Sequence, residues 1–96
     1  MLVYTKVSLY NDVMLDIRWN LLKSDRLKRT RGTSFEDILK SKLIAIKKHP
    51  KKVSQNIMLF EHKRYIWVVP YLIDEKGDIF LKTLYPSRKY TKLYKE

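Results

Sequence analysis

YIWVVPYLIDEKGDIFLKTLYPSRKYTKLYK, residues 65–95, reads as two strands joined by an acidic turn, the second running through Tyr-Pro-Ser-Arg into a short basic tail that carries tyrosines. Tyr65 to Ile73 is the longest uncharged run in the chain and is rich in β-branched and aromatic residues, the composition of a buried strand. Asp74 to Asp78 supplies the turn, with Gly77 available for the positive φ of a tight reversal. Ile79 to Tyr85 alternates, which predicts Phe80, Lys82 and Leu84 on one face and Ile79, Leu81, Thr83 and Tyr85 on the other. Lys82 is then in line with two apolar residues, so its amine either snorkels to an edge or is held in a cleft. Pro70 donates no ladder bond, so a bulge or an edge is expected at that point of the first strand.

Upstream, Met14 to Trp19 reads as a short strand, and Asn20 can cap a helix over Leu21 to Arg31 that Gly32 closes. Leu22 and Leu27 give that helix a thin inward stripe, with Lys23, Arg26, Lys28, Arg29 and Arg31 spread over the rest. Ser34-Phe35-Glu36-Asp37 carries the capping-box pattern. Phe35, Ile38, Leu39 and Lys42 or Leu43 then repeat at helical spacing, which predicts a second helix from Phe35 to about Lys42. Leu43 to Ile46 either finishes that helix or starts a strand. Lys47 to Lys52 is a basic loop in which Pro50 disfavours helix before it, and Ile57 to His62 is the next strand, turned by Lys63-Arg64. Met1 to Val13 alternates loosely, as an extra edge strand or as an upstream start that adds little; the second is favoured. The expectation is one small α+β domain over residues 1–96, with 14–95 as its body. Two helices lie on one face of a small, largely antiparallel sheet, and a short C-terminal helix follows.

Ninety-six residues make one modest core, and 45% hydrophobic with 12% aromatic residues is a globular composition. The formal net charge is +11, and residues 18–64 hold 14 Lys and Arg against 4 Asp and Glu, so nearly all of the excess lies there. Polyanionic partners are favoured: nucleic acid, an anionic surface or an acidic protein. Without cysteine there is neither a disulfide nor a thiolate metal site. No uncharged run approaches the roughly 18 residues of a spanning helix, and no signal-peptide pattern opens the chain, so a soluble cytoplasmic protein is expected.

The same elimination applies to chemistry. Glu36 and Asp37 are adjacent and point apart, His49 and His62 lie 13 positions apart, and two glycines cannot build a phosphate loop or a nucleophile elbow. Metal, nucleotide-cofactor and serine-hydrolase readings fall, and no cofactor is expected. Lys, Arg, Tyr and His remain, and metal-free RNA cleavage can run on that set. The ribose 2′-OH is the nucleophile, so the protein need only take its proton, stabilise the phosphorane and protonate the leaving oxygen. Lys82 and Arg88 are the leading candidates, one on a sheet face and one beyond its end, against the plain reading of a surface pair. His49 titrates in a useful range, against that of a solvated loop histidine. Tyr65, Trp67, Tyr71 and Tyr85 can stack on bases, although alternating aromatics are more often core, as is held for Trp67. Lys47, Lys48, Lys51 and Lys52 form a solvated patch suited to nonspecific phosphate attraction.

Ile17-Arg18-Trp19-Asn20 with Lys23, then Arg31-Gly32, then Ser34-Phe35-Glu36-Asp37, resembles the opening of BrnT-like toxins. The closing Lys82-Thr83-Leu84-Tyr85-Pro86-Ser87-Arg88-Lys89 is similar to that group's basic strand end and Ser/Ala-Arg turn. The chain departs from the pattern at Leu27, at Thr30 and at the strand arginine before the turn, where Lys82 or Thr83 stands. The resemblance implies a RelE-like fold and the toxin of a type II toxin–antitoxin module, which blocks translation by cleaving RNA, including ribosome-associated mRNA. It also implies neutralisation by an antitoxin with an acidic segment. The candidate catalytic set is then Lys82, Arg88, His49 and Tyr85, with Lys23, Arg31, Lys47, Lys48, Lys51, Lys52 and Lys89 on the RNA. Two other readings remain open: a basic module that binds RNA or DNA without cutting it, and a structural partner of an acidic protein.

Overall fold

The computed structural model describes residues 2–8, 14–53 and 55–95, with 2–8 and 14–15 described by backbone alone. In chain order the elements are β1 (Leu2–Ser8), β2 (Met14–Asn20), α1 (Leu21–Arg31), α2 (Phe35–Leu39), β3 (Lys42–Lys48), β4 (Asn56–His62), β5 (Tyr65–Ile73), β6 (Ile79–Leu81), β7 (Tyr85–Pro86) and α3 (Arg88–Lys95). The strands form one mixed sheet in the order β1-β2-β6-β5-β4-β3, with β7 also paired to β5. The protein is a compact mixed α+β fold.

The local signals act as their chemistry dictates. Asn20 caps α1 by accepting from the Lys23 N–H at 2.9 Å, and Gly32, at φ +75°, closes it by donating its N–H to the Lys28 carbonyl at 3.0 Å. Ser34 and Asp37 form the full capping box of α2, each side chain accepting from the other's backbone N–H at 3.0 and 3.1 Å. Lys28 adds an ion pair to Asp37 at 2.7 Å, and that contact, before any other, lowers the Asp37 carboxyl to about 2.

Several expectations are corrected. Leu22 is 70% exposed, so the inward stripe of α1 is Leu27 with Ser24. The second helix stops at Leu39, and Lys42–Lys48 is strand, which takes Lys47 and Lys48 out of the basic loop. Leu2–Ser8 pairs antiparallel with β2 as an edge strand and so is not an idle extension, while residues 9–13 lie outside the described residues. The sheet is largely antiparallel, as expected, and the parallel pairing among the described strands is that of β2 with β6, with Ile17 opposite Ile79 and Arg18 opposite Phe80.

Around Pro70 the expectation holds on one side only. Pro70 pairs in register with Ile57 on β4, without a bulge. Its carbonyl accepts from the Lys82 N–H at 2.9 Å, and a residue's N and C=O point to the same side of a strand, so the missing donor faces the chain after β6. There the neighbouring strand breaks: residues 82–84 leave the ladder, and pairing resumes at Tyr85 opposite Val68. The break also resets the alternation, and Leu84 joins the core with Ile79 and Leu81 instead of lying beside Phe80 and Lys82.

The larger apolar cluster takes Leu27 from α1, Phe35 and Ile38 from α2, and Ile17, Trp19, Met58, Phe60, Trp67 and Val69 from the strands. A fully buried side chain of this size contributes about 1.5–3 kcal/mol, which ties two short helices to the sheet. A polar clamp reinforces them. Glu36 accepts from Trp19 Nε1 at 2.8 Å and from Ser24 Oγ at 2.5 Å, while Ser24 accepts from the Phe35 N–H at 3.0 Å. Burial alone would raise the Glu36 carboxyl, but hydrogen bonds from Ser24, its own backbone and Trp19 outweigh it and hold the group below the usual carboxylate range. A smaller cluster, Ile57, Leu59, Ile66 and Val68, lies on alternate residues of β4 and β5 and carries Tyr90 of α3.

Candidate functional site

The candidate site opens on the second sheet face. Pro70 lies two residues beyond Val68 and therefore on the same face, and Tyr85 stands directly opposite Val68. Pro70 floors a cleft of about 380 Å³ walled by Lys23, His49, Lys52, Lys82 and Tyr85, with Gln55 and Thr83 completing it. No carboxylate lines it among the described residues. Five side chains that the sequence scatters over positions 23–85 thus face one space.

Each is placed by a local cause. Lys23 sits in the first turn of α1 because Asn20 ends β2 and caps the helix. Lys82 is the first residue past β6, held by its own N–H on the Pro70 carbonyl, and its amine lies 5.7 Å from the centre of the Phe80 ring. The loop 49–55 is drawn closed by the His49 N–H on the Gln55 carbonyl at 3.0 Å and the Gln55 N–H on that of Lys52 at 3.1 Å. His49 Nδ1 accepts from the backbone N–H groups of Lys51 and Lys52, both at 3.1 Å, so in the neutral ring the proton sits on Nε2 and that edge is a donor. Tyr85 is 37% exposed, and burial, then Tyr90, pushes its hydroxyl above the ordinary tyrosine range.

Lys23 is the perturbed cation of the group. Burial first, then the charges of Arg26, Lys82 and Arg31, lower it from the ordinary lysine value. Among the described residues neither Lys23 nor Lys82 forms an ion pair. Such an uncompensated cluster attracts a polyanion and makes one amine easier to deprotonate.

No protein-family model matches the chain, and no curated protein or solved structure matches it.

The other sequence candidates fall elsewhere. Arg88 begins α3, is exposed and does not line the cleft. Ser87 donates its N–H to the Ile66 carbonyl at 2.8 Å, whereas Lys82 docks at Pro70, and four residues of strand separate those levels by about 13 Å. Arg31 donates through Nη1 to the Leu84 carbonyl, bracing the break that carries Lys82 and Tyr85. Lys47 lies over the Tyr94 ring at 5.8 Å and Lys89 over that of Tyr90 at 5.6 Å, both at α3. Lys48, at the end of β3, and Lys51, within the loop, are exposed and do not line the cleft. Trp67 and Tyr71 are buried in the larger cluster and Tyr65 packs against it, so of the four aromatics Tyr85 faces the cleft. The sequence places Lys23 among the RNA contacts; its crowding by Lys82 exists only once the fold brings residues 23 and 82 together.

Proposed function

We propose that the protein is a metal-independent ribonuclease acting as the toxin of a type II toxin–antitoxin module in the cytoplasm. The observation that carries the reading is the acid-free cleft in which Lys23, His49, Lys52, Lys82 and Tyr85 converge. The resemblance to BrnT-like toxins and its RelE-like arrangement, α1 and α2 on one sheet face with a short helix after the last strand, fit the larger cluster that joins both helices to the strands. A described chain with no helix long and apolar enough to cross a membrane is compatible with the same setting.

In the proposed reaction the ribose 2′-OH gives its proton to the Lys23 amine in its neutral form, and the 2′-oxygen attacks the adjacent phosphorus. The bond from phosphorus to the 5′-oxygen breaks, that oxygen takes the proton of the Tyr85 hydroxyl, a 2′,3′-cyclic phosphate is left, and the proton gained by Lys23 returns to Tyr85 through solvent. Lys82 and Lys52 offset the charge of the phosphorane, His49 Nε2–H donates to one of its oxygens, and the Tyr85 hydroxyl stands at the leaving side. A partner with an acidic segment is expected to close the same cleft, since charges that attract phosphate also attract carboxylate.

The test is induced expression, following growth and the 5′ ends of cellular RNA, with the purified chain incubated with RNA in chelator. Growth arrest and cyclic-phosphate ends are expected, with Lys82→Ala lowering cleavage about 10²- to 10³-fold. Intact RNA at full occupancy of the chain would show a binding module instead.

A further inference from the structure

Lys23 and Lys82 line not one cleft but two. On their other side lies a second cleft of about 600 Å³, whose walls are α1 and the end of β6. Its helical wall follows from spacing: Leu22, Arg26 and Arg29 recur at i, i+4 and i+7, on the side of α1 away from the buried Ser24 and Leu27. Arg26 and Arg29 are exposed, and neither forms an ion pair among the described residues. Phe80 offers a half-buried ring beside the Lys82 amine. Asn20 also lines this cleft; its Oδ1 is engaged on the Lys23 N–H, which leaves its amide donors for another group. Asp25 supplies a carboxylate.

This is the complement of a nucleotide. Two guanidinium groups suit a phosphate, a ring face suits a base, and an amide with a carboxylate can bind a base edge or a ribose hydroxyl. An acidic protein segment fits less well, because it would meet Asp25 as a like charge and leave the ring face unused. We propose that the second cleft is a nucleotide subsite, taking the nucleotide next to the phosphate held between Lys23 and Lys82, so that the favoured ligand is a single strand spanning both clefts. The inference rests on the ribonuclease reading.

Fluorescence anisotropy of the full chain with labelled 2′-O-methyl oligouridylates, which lack the nucleophile, tests it. A hexamer should bind at least about tenfold tighter than a dimer. Arg26→Gln with Arg29→Gln should cost the hexamer about fivefold and the dimer less than about twofold, and should make the slope of log K against log salt shallower by about 1.4. Lys40→Gln with Lys76→Gln, exposed positions away from both clefts, makes the same charge change and should cost the hexamer less than about twofold. Equal losses at both lengths, an unchanged hexamer, or a control as damaging as the Arg pair would overturn the subsite. If the unmodified chain binds neither length, the RNA reading itself fails and the subsite falls with it.

Discussion

His62 shows how far a single side chain can depart from its sequence context. Its ring meets Trp67 edge-on at 6.1 Å, its carbonyl accepts from Trp67 Nε1 at 3.1 Å, and its buried Nε2 has no hydrogen-bond partner among the described residues. Burial, then Lys63 and Lys28, depress its pKa, and Asp37 opposes them. The unfolded chain therefore takes up the proton more readily. The histidine's contribution to stability is intact above its unfolded value, about 6.5, and is lost as pH falls from there through the lower folded value. Thermal melts should show the midpoint dropping between about pH 7.5 and about pH 5, with a smaller drop in His62→Gln. Identical pH profiles for the two proteins would remove His62 as the cause. The caps at Asn20, Ser34 and Asp37 were legible in the sequence because each acts within three residues. The Trp19–Glu36–Ser24 clamp was not, since its bonds span 17 and 12 positions and only folding brings the groups together.

At the scale of elements, the β4–β5 hairpin stores conformational strain. His62 pairs with Tyr65, so Lys63 and Arg64 are the two-residue turn, and both hold left-handed φ values of 54° and 64°. Right-handed strand twist favours such a turn, but residues with a Cβ adopt it at a cost of about 1 kcal/mol each. Lys63→Asn with Arg64→Gly should therefore raise stability by about 1 kcal/mol, the loss of the exposed Lys63 bond to the Gly32 carbonyl offsetting part of the gain. Urea titration reads the effect as a higher midpoint at unchanged slope, and an unchanged or lower midpoint would refute it. The turn itself was readable from the uncharged runs on either side. The break in the last strand was not, because Ile79 to Tyr85 alternates without interruption and the signal for the break, Pro70, lies on the neighbouring strand. That is also why the alternation puts Leu84 on the wrong face; for Lys82 it leaves an edge and a cleft both open, and only the fold sets it in a cleft.

Over the whole molecule the surplus of positive charge carries a stability cost, which the proposed action on RNA would account for. The folded chain gathers Lys23, Lys82, Arg26 and Arg31 closely enough that the last three all lower the Lys23 pKa behind the larger effect of burial. A folded value below the unfolded 10.5 means that the charged amine is disfavoured by folding, a penalty fully present at neutral pH and relieved as pH rises through the folded value toward the unfolded one. Lys23→Met keeps the apolar stem and removes the charge. Its thermal midpoint at neutral pH and about 20 mM salt should exceed that of the unmodified chain, and the gain should shrink at about 500 mM salt, where screening weakens the repulsion the lysine had felt. RNA cleavage by the same variant should fall with the loss of the amine. Lys76→Met, in the exposed acidic turn beside Asp74 and Glu75, provides the contrast: removing a cation from among carboxylates should bring no such gain. A gain in stability joined to a loss of cleavage would mark Lys23 as a charge kept for its chemistry. A Lys23→Met protein that melts at or below the unmodified midpoint in low salt would mean that its neighbours do not repel it, and Lys23 would lose its claim to be the easily deprotonated amine of the cleft.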